Sequence, residues 1–122
     1  MARILVVDDD LLTRDYIGHV LSAEGHSVEK AENGESGLAA FRARSADIVI
    51  TDMVMPKADG VEFIAALLKE SPKVPVIAMS GAPQSAQFLY LASYLGAGNV
   101  LTKPVAGEAL IAAVNGLLMP RK

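Results

Sequence analysis

Cysteine is absent from the 122-residue sequence, which excludes a disulfide framework, a thiolate metal site and a cysteine nucleophile. Any chemistry must therefore run on oxygen and nitrogen groups. Aromatic residues are few, 5% against 52% hydrophobic overall, in a length that suits one domain, 1–122, with a single sizeable core, so no second domain is expected within it. An excess of positive charge is missing too. The net charge of −3 offers nucleic acid no general attraction, because such binding rests on Lys and Arg neutralising phosphates, so direct contact with nucleic acid is not expected. Long hydrophobic runs are also lacking. The first one, residues 4–7, is far too short for a signal-peptide core and ends in three consecutive aspartates, which argues against export and for a cytoplasmic protein. Residues 80–102 carry no charge, but Gly, Pro, Gln, Ser and Asn interrupt them, so no membrane insertion is expected.

What is present is alternation. Short runs rich in Val and Ile, at Arg3–Val7, Ser27–Ala31, 48–51, 76–79 and 100–102, alternate with longer segments of helical period. The second run is polar, as an edge strand can be. Leu12, Tyr16, Ile17, Val20 and Leu21 mark one apolar helix face, and Leu38 and Phe41 the next. Phe63, Ile64, Leu67 and Leu68 mark a third, Phe88, Leu91, Ala92 and Leu95 a fourth, and Leu110, Ile111, Val114, Leu117 and Leu118 the last. The pattern predicts an α/β (βα)5 chain around a parallel sheet, with no repeat, linker or low-complexity tract.

Four of the predicted strands lead into a residue able to do chemistry. Asp8 and Asp9 follow the first, Asp52 the third, Ser80 the fourth and Lys103 the fifth. In open α/β sheets, ligands bind beyond the carboxyl ends of the strands near the point where strand order reverses, so these residues should meet in one crevice. Three carboxylates gathered there repel one another unless a cation joins them, and hard oxygen ligands suit Mg²⁺. Lys103 supplies a compact positive charge and Ser80 a hydroxyl donor, both suited to phosphoryl oxygens. Positioning and charge neutralisation are most of what phosphoryl transfer requires. Taken singly, each residue has a plainer reading as a turn former, helix cap or surface charge; Asp10 in particular reads as the cap of a helix beginning near Leu11. His19 and His26 lie outside the constellation.

From end to end the motifs resemble those of bacterial two-component response-regulator receivers: Ile4-Leu5-Val6-Val7-Asp8-Asp9-Asp10, Ile50-Thr51-Asp52-Met53-Val54-Met55-Pro56 with Asp59-Gly60, Met79-Ser80-Gly81 and Leu101-Thr102-Lys103-Pro104. The resemblance implies a flavodoxin-like, three-layer fold with strand order 2-1-3-4-5. It implies Asp52 as the nucleophile that becomes an aspartyl phosphate, with Ser80 and Lys103 assisting. Asp8, Asp9 and Asp52, with the Val54 carbonyl, would hold Mg²⁺, and the Lys103–Pro104 bond would be cis. The partners implied are a sensor histidine kinase or histidine phosphotransfer protein and a downstream protein target, bound through a surface of the fourth helix, fifth strand and fifth helix. Such a domain is a phosphoacceptor that sheds its own phosphoryl group, not a conventional enzyme.

The resemblance breaks at two positions. Receivers generally carry an aromatic residue three places before the site lysine, where Val100 stands, and commonly another after Lys-Pro, where Val105 stands. That departure keeps open a second reading, a receiver that binds partners without phosphorylation. Tyr90 and Tyr94 share a helical face and suit exposed partner anchors as well as partial burial. A haloacid-dehalogenase-like hydrolase fails on chain order, since no acidic site follows Lys103. A flavodoxin fails because three aspartates in the first loop would repel its phosphate.

Overall fold

The structure is a computed structural model, and it describes residues 2–53, 60–80 and 99–118. Five strands, β1 (Arg3–Val7), β2 (Ser27–Ala31), β3 (Ile48–Asp52), β4 (Val76–Ser80) and β5 (Asn99–Thr102), form one parallel sheet in the order β2-β1-β3-β4-β5. Four helices are described: α1 (Leu11–Ala23), α2 (Gly34–Ala43), α3 (Gly60–Glu70) and α4 (Gly107–Leu118), the last being the helix expected at the C-terminal end. The segment expected to be helical around Phe88–Leu95, with Tyr90 and Tyr94, lies outside the described residues.

Strand parity builds the layers. Successive side chains of a strand point to opposite faces, so an unbroken apolar run marks a strand covered on both sides. Ile4, Val6, Ile48, Ile50, Ile77 and Met79 pack with Ile17 and Leu21 of α1 and Leu110 and Val114 of α4. The alternate residues Leu5, Val7, Val49, Val76 and Ala78 pack with Phe41 of α2 and with Phe63, Ile64 and Leu67 of α3. Two cores thus sandwich one sheet, which is the flavodoxin-like arrangement. The two edge strands break the pattern: Glu29 and Lys30 of β2 and Thr102 of β5 are exposed, and charges like those on β2 protect an edge from pairing with another chain.

Local chemistry fixes the junctions. Asn33 caps α2 in a reciprocal box, its Oδ1 accepting the Ser36 amide at 2.8 Å while its own amide donates to Ser36 Oγ at 3.2 Å. Gly25, at φ 91°, ends α1 in the left-handed region that glycine enters without a Cβ penalty. His26 serves packing, its Nδ1 accepting the Ala2 amide at 3.1 Å.

Three expectations need correction, the first being Leu118, which was placed on the apolar face of the last helix and is exposed at its end. The buried face of α1 is Ile17, Gly18 and Leu21, whereas Leu12 and Tyr16, expected on that face, are 77% and 44% exposed. At ~100° per residue Leu12 sits roughly 140° around the helix from Ile17, so an apolar residue there points off the core. The third and fourth strands each also run one residue further than expected: Asp52 and Ser80 are their last residues rather than the first beyond them.

Candidate functional site

The site is assembled by register. Val7 of β1 stands opposite Thr51 of β3, so the next residues, Asp8 and Asp52, face each other at the carboxyl ends of the two strands where chain order reverses. Both share the parity of Ile4, Val6, Ile48 and Ile50 and so lean to the α1 and α4 side of the sheet. Asp52 stands opposite Met79, and Ser80 opposite Thr102, which brings Lys103 to the same end. The backbone of Ser80 therefore ends at the site; its side chain lies outside the described residues, as does Val54.

Four of the expected side chains come together. Asp8 is 0% and Asp52 5% exposed, while Asp9 faces solvent. The ammonium of Lys103 lies 2.8 Å from Asp8 Oδ2 and 3.2 Å from Asp52 Oδ2, so one cation joins two buried carboxylates. The second contact is a hydrogen bond. The first is an ion pair outside hydrogen-bond geometry, and Asp8 Oδ2 accepts no hydrogen bond among the described residues. The other oxygen, Oδ1, accepts the Asp10 amide at 2.9 Å. Burial alone would lower the Lys103 pKa, but the contact with Asp8 and the charges of Asp52 and Asp8 outweigh it and hold the ammonium above its ordinary value. The Lys103–Pro104 bond is cis, as expected.

One oxygen from each of Asp8, Asp9 and Asp52 lies within 4.8 Å of the others. At an effective dielectric of ~20, two such charges ~5 Å apart repel by roughly 3 kcal/mol, and a single lysine cannot neutralise three. A set of hard oxygen donors, one of them buried without a hydrogen-bond donor, fits a small divalent cation. Beside it, Leu12, Thr13, Tyr16, Lys103, Pro104 and Val105 line an open cavity of about 650 Å³.

Asp10 is the N-cap residue of α1 by position, but its side chain makes no capping bond to the helix amides. Its Oδ2 accepts the Thr13 hydroxyl at 2.6 Å instead, a bond that holds its pKa below the ordinary carboxylate value. Arg14 had no place in the sequence-based site, yet its Nη1 donates to the main-chain oxygen of Asp8 at 2.7 Å. Its one signal was its position, a first-turn cation five residues after Asp9. A side chain that serves a backbone oxygen leaves no motif.

The sequence profile of the response regulator receiver domain matches residues 4–115. The chain belongs to the response regulator receiver family. This receiver is 38% identical over 120 residues to protein PilH of Pseudomonas aeruginosa, covering 97% of this chain and 98% of that one. It is 37% identical over 117 residues to the transcriptional regulatory protein GlrR of Escherichia coli, covering 96% of this chain but only 26% of that protein. Among solved structures it resembles a receiver domain from Clostridium thermocellum at TM-score 0.89 and 34% identity, covering 97% and 94% of the two chains. It resembles chemotaxis protein CheY4 of Vibrio cholerae at TM-score 0.86 and 30% identity, covering 97% and 99%. As a receiver, the chain is a phosphoacceptor of two-component signalling rather than a conventional enzyme. Among the described residues no helix is long and apolar enough to cross a membrane.

Proposed function

We propose that this receiver takes a phosphoryl group from a phosphohistidine of a sensor histidine kinase or histidine phosphotransfer protein onto Asp52, in the cytoplasm, and signals through contact with a downstream protein. A carboxylate oxygen of Asp52 attacks phosphorus, the P–N bond to the donor imidazole breaks, and the leaving imidazole takes up a proton. The observation that carries the reading is the Lys103 ammonium seated between Asp8 and Asp52, within a cluster of three carboxylates. Asp8, Asp9 and Asp52, with the Val54 carbonyl, are the residues that would hold Mg²⁺, the divalent cation that suits few protein carboxylates and several water positions. When bound, that ion supplies the positive charge that draws phosphoryl oxygens to the site.

Lys103 then plays two parts. Before phosphorylation it holds Asp52 in place at the strand end; afterwards its compact charge pairs with a phosphoryl oxygen. The Ser80 hydroxyl, at the end of the adjacent strand, donates to another.

Incubating the protein with acetyl phosphate and Mg²⁺ and weighing it intact tests this reading. One added phosphoryl group that requires Mg²⁺ and disappears in Asp52→Asn is the expected result. No adduct on the parent protein with either acetyl phosphate or a phosphorylated kinase, or an adduct that survives the substitution, would overturn it and favour a receiver that works by binding alone.

A further inference from the structure

Asp8 and Asp9 are neighbours in sequence, yet one is wholly buried and the other exposed. For both carboxylates to converge on the oxygen of Asp52, the peptide unit that joins them must be held at one orientation. Three hydrogen bonds fix the first half of that turn. The Asp8 amide donates to Ala31 O at 3.1 Å, Asp8 Oδ1 accepts the Asp10 amide at 2.9 Å, and the main-chain oxygen of Asp8 accepts Arg14 Nη1 at 2.7 Å. The last of these acts directly on the peptide between the two aspartates. Arg14 is itself anchored, because its backbone amide donates to Asp10 O at 3.0 Å and closes the first turn of α1.

We propose that Arg14 is a positioning residue for the acidic cluster: its guanidinium grips the Asp8 carbonyl and so sets the angle at which Asp8 and Asp9 jointly present oxygens to a divalent cation. The inference rests on the reading of Asp8, Asp9 and Asp52 as the metal-holding set. It makes a prediction opposite in sign to a plain charge effect. A guanidinium near the cluster repels a cation, so deleting its charge alone would tighten Mg²⁺ binding. Losing its grip on the peptide lets Asp9 drift from the cluster and weakens Mg²⁺ binding.

Arg14 is half-buried and bonds a backbone oxygen rather than a carboxylate, so it belongs to the shell behind the ligands. Loss of such a supporting partner typically costs about 10–100-fold in metal affinity, and the low end suits a site whose ligands all remain. Lysine keeps a donor for a carbonyl but lacks the planar fork that reaches and orients it, so it should restore only part of the effect.

The test is calorimetric titration of the full chain with Mg²⁺, set against thermal unfolding in chelator and hydrogen exchange at the Asp10 amide. Arg14→Ala should raise the Mg²⁺ Kd about ten-fold and speed exchange at Asp10, with Arg14→Lys in between. Lys30→Ala, which removes another cation bonded to α1 through Asp15, should leave Kd within about two-fold, because the pair it breaks is an exposed surface one. Asp8→Asn marks loss of the site. Unchanged or tighter Mg²⁺ binding in a folded Arg14→Ala protein overturns the inference while leaving the site reading intact. Failure of the parent protein to bind Mg²⁺ at all overturns both. If Arg14→Ala does not fold, Arg14→Lys and Arg14→Gln decide: Kd values equal to the parent's reject positioning, and graded weakening supports it.

Discussion

Replacing Lys103 with methionine keeps the length of the side chain and removes its charge, leaving Asp8 and Asp52 buried without the ammonium that lies 2.8 Å and 3.2 Å from their oxygens. Each contact, at ~3 Å and an effective dielectric of ~20, represents roughly 5 kcal/mol of gross attraction. The net loss is smaller. Lysine recovers solvation in the unfolded chain, its side chain is still 21% exposed, and the variant has an escape by taking up a proton. Protonating an ordinary aspartate at pH 7 costs about 4 kcal/mol, which sets a ceiling. Breaking a buried pair generally costs ~3–5 kcal/mol, so a loss of about 3 kcal/mol in chelator is expected. Mg²⁺ should reverse it. A divalent ion replaces the missing charge, and without a lysine to displace, the variant binds the ion more tightly than the parent. Mg²⁺ stabilises parent and variant alike, so at saturation the gap narrows by RT ln of the ratio of their Kd values, and closing it from about 3 to about 1 kcal/mol corresponds to roughly 30-fold tighter binding by the variant. Urea unfolding followed by circular dichroism, with chelator and with Mg²⁺, measures both numbers. A loss under about 1 kcal/mol in chelator, or a gap that Mg²⁺ does not narrow, would refute the argument that the lysine is the counter-ion of the two buried acids.

Two glycines should respond in opposite directions. A Cβ at Gly37 would meet Val7 Cγ2 at 2.8 Å and the Phe63 ring at 3.2 Å, so Gly37→Ala should cost about 1–3 kcal/mol in chemical denaturation. Among the described residues a Cβ at Gly116 on α4 meets nothing within 4 Å, so Gly116→Ala should stabilise by about 0.5–1 kcal/mol in the same assay. Acid should expose the surface pair between α2 and α3. The hydrogen bond from Arg42 lowers the Glu70 pKa, so its contribution is present above the ordinary carboxylate pKa and is lost as pH falls through the lowered folded value. Urea midpoints of Arg42→Gln should therefore lie below the parent's near neutrality and converge with them at low pH; a constant offset would refute the assignment.

The inner strands were legible in the sequence because parallel strands buried on both faces leave unbroken apolar runs, short and rich in β-branched residues, as in Ile4-Leu5-Val6-Val7. The acidic cluster was legible because each member follows or closes such a run, and register then brings Asp8 opposite Asp52. Leu12 and Tyr16 misled because hydrophobicity alone does not say which way a helix turns its apolar residues, and these two border the cavity beside Lys103 instead of the core. Asp10 misled differently: a cap residue was rightly placed, but the Thr13 hydroxyl competes for its carboxylate. Arg14 left only its position as a signal, since its partner is a main-chain oxygen that every residue possesses.

On the proposed reading Asp52, and no other carboxylate of the cluster, accepts the phosphoryl group. Reducing the phosphorylated protein with borohydride converts an acyl phosphate to the alcohol, and peptide mass spectra then locate the residue that carried it. Homoserine at position 52, formed only when Mg²⁺ was present, is the result expected; homoserine at position 8 or 9, or none at any position of a protein that has gained a phosphoryl group, would contradict the account.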